Sequence, residues 1–380
     1  MGILKFSVPE IFFGRGSLKY TGMCAMRLGA EKIFFVSDPG LEKSGWVDHV
    51  FKIIDKESLK WVYYSDISSN PRDWQIEKGA LLYKKHGCDV VIALGGGSPM
   101  DAAKGIALVA SNGGRVNDYE GANRIKHPLA PMIFIPSTAS SGSDISQFTI
   151  ITDMERQVKM SIISRTLVPN ISIIDPMLLT TKSRELIIAA AVDALSHAIE
   201  AHVSKIASPM TEVHSLKAIE LIIKYLPLAL ESRSLDHLEQ LSMAGTSAAI
   251  AFSNASLGLD HALAHTLGGM LDTVHGTIHP ILLPQVMRYN LCECTDKIAQ
   301  IGKVVLGKSL ASPEATALAG IEKLEAYFQS LKVSTRLRDI VPDRSTLPQI
   351  CKMATYDSCL LSNPRTATVE DMMQICNGVW

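Results

Sequence analysis

The periodicity of apolar residues changes near residue 180. Before it, short β-branched runs alternate with stretches whose apolar positions recur every three or four residues; after it, only the second pattern continues. "KIFFVSD" (32–38), "DVVIALGGG" (89–97), "PMIFIPST" (131–138), "QFTIIT" (147–152) and "ISIIDP" (171–176) read as strands. Several are apolar throughout, as burial on both faces requires. "DWQIEKGALLYKKHG" (73–87) and "DAAKGIALVASNGG" (101–114) read as helices between strands. Strand, helix, strand at this spacing predicts a parallel α/β sheet. From Ser183, which suits a helix N-cap, segments such as "SRELIIAAAVDALSHAIEAHVSK" and "ATALAGIEKLEAYFQSL" predict an all-helical remainder. Two domains follow, α/β over 1–180 and all-helical over 181–380, with the cleft between them as the expected ligand site.

Composition sharpens this picture by exclusion. A chain of 380 residues exceeds one typical core, in keeping with two domains. Lys+Arg 37 nearly cancels Asp+Glu 38 with no basic run, so nothing supplies the phosphate neutralisation that nucleic-acid binding needs. The first residues lack the apolar run and cleavage site of a signal peptide, and no later segment reads as apolar for long enough to cross a bilayer. No membrane partner and a cytoplasmic location are therefore expected. Seven scattered cysteines, at 24, 88, 292, 294, 351, 359 and 376, form no CxxC pair. That argues against a disulfide framework and a thiolate zinc knot, and leaves nitrogen and oxygen as metal donors.

Candidate chemistry in the first half centres on "ALGGGSPMDAAK" (93–104), a buried strand, three glycines, Ser-Pro and a helix. Glycines let the backbone approach a ligand closely, and free N–H groups at a helix start attract an anion. Met100 stands where the last glycine of GxGxxG belongs, and no Gly-Lys-Ser/Thr follows, so neither the Rossmann fingerprint nor a P-loop is matched. A tight turn without a ligand fits the same residues. "PSTASSGSD" (136–144) offers hydroxyls after a strand but also suits a solvated turn. Asp38 ends a strand, where a carboxylate accepts from ribose hydroxyls and disfavours a 2′-phosphate, or simply forms a turn.

In the second half, "AVDALSHAIEAH" (191–202) sets Asp193 and His197 one turn apart on a helix face. "GLDHALAHTLGG" (258–269) repeats the spacing with His261 and His265, and "DTVHGTIHP" (272–280) adds His275 and His279. A buried ionised Asp needs a partner. Asp193, His197, His261 and His275 would make an N3O set for a divalent ion, within the ligand chemistry of Fe²⁺, Zn²⁺ or Mn²⁺. Each pair alone also suits a hydrogen-bonded couple or an exposed helix pair. HxxxH without the following glutamate disfavours a zinc protease. His202 and His214 read as surface or structural residues.

Together these motifs resemble the iron-containing (group III) alcohol dehydrogenases, essentially from end to end. The resemblance is carried by "GGGSPMDAAK", "PSTASSGSD", "DALSHAIEAHVS", "SNASLGLDHALAHTLGG", "HGTIHPILLP" followed by "MRYN", and "DSCLLSNPRTATVEDM". It implies an α/β N-terminal Rossmann-like domain that binds the dinucleotide, an all-α C-terminal metal-binding domain, and an active site in the interdomain cleft. By position it implies Asp193, His197, His261 and His275 as metal ligands and His265 beside nicotinamide and substrate. For NAD(H) it implies Gly96, Gly97, Ser98 and Asp101 at the phosphates, with Thr138, Ser141 and Lys159 as further contacts. Asp38 matches the ribose carboxylate, Asn70 an Asn-Pro at the cofactor, and Leu178 an apolar contact. Fe²⁺ follows from the family name, with Zn²⁺ or Mn²⁺ as alternatives; homodimers or larger homo-oligomers are common. The chain departs from the pattern at Ser140, Ser141 and Asp144, where Gly, Thr and Glu are usual. Asp260 takes the place of an apolar residue, and His279 that of Asn.

The implied activity is hydride transfer between nicotinamide and a small primary alcohol or its aldehyde, with the ion polarising the substrate oxygen. His265, one turn from a ligand, is the candidate for relaying the alcohol proton, since imidazole titrates near neutral pH. Pocket-lining residues cannot be ranked from sequence; Phe148, Phe252, His279 and Cys359 are the first candidates for setting substrate preference. Rival readings are a glycerol dehydrogenase, a dehydroquinate-synthase-like lyase, or a binding protein that kept the fold without turnover.

Overall fold

The computed structural model describes residues 5–380 apart from Ser140, Gln157 and Asp272. It divides into two compact units, Ser7–Lys182 and Ser183–Trp380, and the described N-terminal residues Lys5 and Phe6 belong to the second. The first unit runs β1 (Glu10–Phe13), α1 (Thr21–Arg27), β2 (Lys32–Val36), α2 (Pro39–Lys43), α3 (Trp46–Lys56), β3 (Lys60–Tyr64), α4 (Asp73–His86), β4 (Val90–Gly95) and α5 (Gly97–Asn112). It continues with β5 (Gly121–Ala122), β6 (Met132–Pro136), β7 (Phe148–Asp153), β8 (Val158–Ile163) and β9 (Ile171–Ile174).

Six of these strands lie in the order β1-β9-β6-β4-β2-β3, and their described pairings are parallel. The strands are apolar throughout because both faces of the sheet are covered. Phe34, Val36, Val91 and Phe134 point to one side, packing with Ile76 of α4 and Ile106 of α5. Ile33, Phe35, Ile92 and Ile133 point to the other, with Cys24 of α1 and Ile54 of α3. The chain lays β3 on one side of β2, then returns to set β4 on the other. The carboxyl ends of β2 and β4 therefore flank a reversal of strand order, where open α/β sheets bind ligands. The smaller sheet, β5-β8-β7, is a hairpin of β7 and β8 with β5 alongside. The expected strands all form; β1, β3, β5 and β8 are added, the first three short or edge elements and β8 a strand whose run is broken by Lys159 and Ser161, which hides them from a periodicity reading.

The second unit comprises α6 (Arg184–Val203), α7 (Pro209–Ser232), α8 (Leu235–Ala255), α9 (Leu259–Leu271), α10 (His279–Leu306), α11 (Pro313–Ser330), α12 (Leu347–Ala354) and α13 (Val369–Gly378). The Ser183 hydroxyl accepts from the Leu186 N–H at 3.3 Å, as a cap should. The expectation that no segment is long and apolar enough for a bilayer needs correction, because α6 passes that test by length and composition. Burial of 89% of its most apolar stretch gives the physical reason: α6 is a core helix enclosed by its neighbours, so no face of it needs to be polar for water. On α9, Leu259, Leu263 and Leu267 pack with Ile281 and Val286 of α10 and Ile350 of α12, so one stripe of the helix is core while His261 and His265 leave it on another.

Candidate functional site

α6 presents Asp193, His197 and Glu200 along one face, spaced by four and three residues. The 275–277 turn brings His275 to this face, held close by Gly276, where a Cβ would lie 2.1 Å from the Ala189 carbonyl oxygen of α6. α9 contributes His261 and α10 begins at His279. From Asp193 Oδ1 the Nε2 atoms of His197, His275 and His261 are 3.7, 3.8 and 3.9 Å away, and that of His279 is 3.2 Å away. One donor atom each from Asp193, His261, His275 and His279 lies within 4.8 Å of the others. His197 stands beside this quartet, its ring stacked on His261 at 4.6 Å and on Phe252 at 4.3 Å. Three of the four residues expected from sequence as metal ligands thus share this quartet with His279, and the fourth, His197, stacks beside it.

The surroundings prepare these groups for a cation. Burial opposes ionisation of Asp193, but the imidazoles of His197, His279 and His275 outweigh it and hold the carboxyl well below the usual range. His261 is kept neutral by burial and by the neighbouring imidazoles. Its Nδ1 lies 2.8 Å from Glu200 Oε2, so Nδ1–H donates and Nε2 keeps its lone pair. Glu200 also accepts from the backbone N–H groups of Gly258, Asp260 and His261 at 2.9, 2.7 and 3.3 Å, closing the start of α9 with a carboxylate. Asp193 Oδ1, His261 Nε2 and His279 Nε2 are buried without a hydrogen-bond partner among the described atoms. Convergent, unpartnered lone pairs in a buried site are costly unless a cation satisfies them, so the residues fit a divalent ion with nitrogen and oxygen donors.

His265 lies one turn beyond His261 and stacks on His275 at 5.3 Å. Its Nδ1 is 2.8 Å from Asp357 Oδ2, and Asp357 also accepts from the Cys359 N–H at 2.8 Å. The donor leaves Nε2 of His265 as an acceptor. Glu200 and Asp357 escaped the sequence reading. The i, i+4, i+7 spacing of Asp193, His197 and Glu200 was a signal for the first, whereas nothing local ties Asp357 to a histidine 92 positions earlier.

In the α/β unit the glycine turn leads from β4 into α5. A Cβ on Gly95 would meet the Pro99 ring at 2.6 Å and Asp38 Oδ2 at 3.3 Å, so this close approach requires glycine. Asp38 Oδ1 accepts from the N–H groups of Gly40 and Leu41 at 2.9 and 3.1 Å, capping α2 and leaving Oδ2 toward the turn. The Asn70 N–H donates to Ser98 Oγ at 3.3 Å from a left-handed backbone of φ 57°. The 136–144 loop faces the same turn: Thr138 Cγ2 lies 3.5 Å from the Cβ position of Gly96, and Ser141 Cβ 3.2 Å from that of Gly97. Ser140 lies outside the described residues. Asp101 turns inward; burial pushes its carboxyl up to about 6 while Ser143 and the Ile150 N–H bond to it. Lys104, fully buried, is pulled down to about 8 by burial and donates to the Ser146 and Phe148 carbonyls at 2.8 and 2.7 Å. The charge of Lys159, on β8, also favours ionised Asp101. Leu178 is fully buried in the core with Ile33 and Ile173. Asp38, Asn70, Ser98, Thr138 and Ser141 thus gather at the glycine turn, while Asp101 and Leu178 point into the interior.

Residues 9–176 match the family model described as iron-containing alcohol dehydrogenase, and residues 187–380 match that described as Fe-containing alcohol dehydrogenase family, C-terminal. The chain is 36% identical to an NAD-dependent methanol dehydrogenase of Bacillus methanolicus over 373 residues, 97% of this chain and 98% of that protein. It is 33% identical to a 1,3-propanediol dehydrogenase of Klebsiella pneumoniae over 97% of each. A crystal structure of a 1,3-propanediol oxidoreductase superposes with a TM-score of 0.97 at 32% identity, covering 100% of both chains.

Proposed function

This chain belongs to the iron-containing alcohol dehydrogenase family, and from that membership we propose which of its residues serve the reaction. It is an oxidoreductase acting on CH–OH groups, interconverting a small alcohol and its aldehyde. Asp193, His197, His261 and His275 hold one divalent ion, Fe²⁺ in keeping with the family. The glycine turn, with Gly96, Gly97 and Ser98, holds the phosphates of NAD(H). Asp38, Asn70, Thr138 and Ser141 border that site, and Asp101, Lys159 and Leu178 support it from behind. The single observation that carries the reading is the gathering of Asp193, His261 and His275 donor atoms within 4.8 Å, with Asp193 and His261 buried and His275 half-buried.

When bound, the ion supplies Lewis-acid polarisation and the nicotinamide supplies hydride exchange. The protein's own part is orientation and proton handling. Glu200 fixes the tautomer of His261, so that Nε2 stays available as a donor. Asp357 does the same for His265, whose Nε2 takes the proton an alcohol releases and returns it during aldehyde reduction. Asp38 Oδ2, left over from its capping role, favours ribose hydroxyls and repels a 2′-phosphate, which supports NAD over NADP.

The test is aldehyde-dependent NADH oxidation by purified protein reconstituted separately with Fe²⁺, Zn²⁺ and Mn²⁺, over a panel of small aldehydes that includes carboxylate- and sulfonate-bearing ones. Turnover that depends on the added ion and falls about 10²–10⁴-fold in His265→Ala is expected. Equal rates with and without metal would refute the metal centre, and a full rate at every pH in His265→Ala would remove that residue from the mechanism.

A further inference from the structure

Two departures from the family pattern meet at one point in the fold. Asp260, on α9, and His279, at the first turn of α10, are both fully buried, and His279 Nδ1 lies 2.6 Å from Asp260 Oδ2. A carboxylate accepts and does not donate, so Nδ1 carries a proton toward Asp260 and Nε2 points away from it. Nε2 points at Asp193: it is 3.2 Å from Oδ1, and neither buried atom has another hydrogen-bond partner among the described residues. A buried carboxylate oxygen and a ring nitrogen this close need a positive charge between them, which a proton on Nε2 or a cation in its place supplies. The same Nε2 lies within 4.8 Å of donor atoms of both His261 and His275.

We propose that His279 is a metal donor in its own right, and that Asp260 is the carboxylate that orients it, as Glu200 orients His261. This rests on the reading that Asp193, His261 and His275 hold an ion. The chain then offers four imidazoles and one carboxylate where the pattern it resembles offers three and one. Asp260 and His279 are a functional couple, since an imidazole at 279 without a carboxylate at 260 has nothing to set its tautomer. A fifth protein donor raises the coordination number of the ion and slows its loss.

Cobalt(II) reports coordination number directly, because its visible d–d bands weaken as ligands are added. The wild-type protein, loaded anaerobically with Co²⁺, is compared with His279→Asn and with the double variant Asp260→Leu/His279→Asn, which leaves no buried carboxylate unpaired. Affinity is read by competition with a chelator. Both variants are expected to show more intense d–d bands than wild type and about tenfold or more weaker Co²⁺ binding, while Asp260→Asn alone weakens binding about 10-fold. Unchanged bands in both His279 variants would overturn the proposal, even if affinity fell, because His279 would then only position Asp193. Failure of wild type to bind Co²⁺ stoichiometrically would instead bring down the metal centre itself, and this inference with it.

Discussion

Glu200 shows how much a single buried side chain can coordinate. Its two oxygens accept three backbone N–H groups and the His261 Nδ1–H, so it closes the start of α9 and sets the tautomer of His261 at once. Replacing it with Gln puts an NH₂ against donors and leaves buried N–H groups unsatisfied. Glu200→Gln should lose about 1–3 kcal/mol of stability per unsatisfied group and about 10–100-fold in metal affinity. Urea unfolding together with chelator competition measures both; a variant equal to wild type in both would show the carboxylate to be dispensable. At this scale the pairing of Asp193 with His197 and of His261 with His265 was legible because helical spacing and residue chemistry coincide, whereas His275 stood out only as a histidine beside a glycine. Glu200 was legible in principle, seven positions from Asp193 on the same helix. Asp357 was not, since its partner His265 lies on a different element.

Between elements, closeness is set by small residues. Gly276 lets the 275–277 turn lie against α6, where an added Cβ would meet Ala189 O at 2.1 Å and Ala189 C at 2.7 Å. These are backbone atoms of a packed helix and cannot swing aside. Gly276→Ala must therefore separate the turn from α6, drawing His275 away from Asp193, at a cost of about 1–3 kcal/mol. Metal binding should weaken while secondary structure is kept, which chelator competition and circular dichroism would check. Unaltered affinity would mean the turn relaxes without moving His275. The sheet was similarly readable where strands are buried on both faces, as in β2, β4 and β6, and unreadable at β3, an edge strand with exposed Lys60 and Trp61. Edge strands are defined by the neighbour they pair with, which a local pattern does not contain.

For the whole molecule, stability is linked to protons, and the proposed metal centre would add a second linkage. His202 is fully buried where α6, α7 and α10 meet, with Ser215 Oγ at 2.9 Å and Gln300 Oε1 at 3.1 Å from its ring nitrogens. Burial lowers it from 6.5 to about 4. Because the folded value is depressed, the stability it contributes is fully present above about pH 6.5 and is lost as pH falls toward 4, roughly 3 kcal/mol over that window. Denaturant titrations at pH 7 and pH 4.5 should show this drop in wild type and a smaller one in His202→Asn; identical drops would assign the acid sensitivity elsewhere. A divalent ion that binds only the folded chain should stabilise it by about 2.7 kcal/mol at a hundredfold excess over its Kd. Calorimetry with added Zn²⁺ or Mn²⁺ and then with chelator measures this, and an unmoved Tm would contradict a folded-state metal site.

The amino-acid sequence by itself determined the change from α/β to helical texture near residue 180, the glycine turn after a buried strand, and the identity of the histidines and Asp193. These are properties of local periodicity and residue chemistry, which need no long-range contact to be read. Only the tertiary structure decided that four helical-unit segments converge, that Glu200 and Asp357 stand behind His261 and His265, and that Asp260 and His279 form a buried couple pressed against Asp193. The reason is that a tautomer, an orphaned lone pair or a shared cation depends on distances between atoms far apart in the chain, and those distances exist only once the helices have packed.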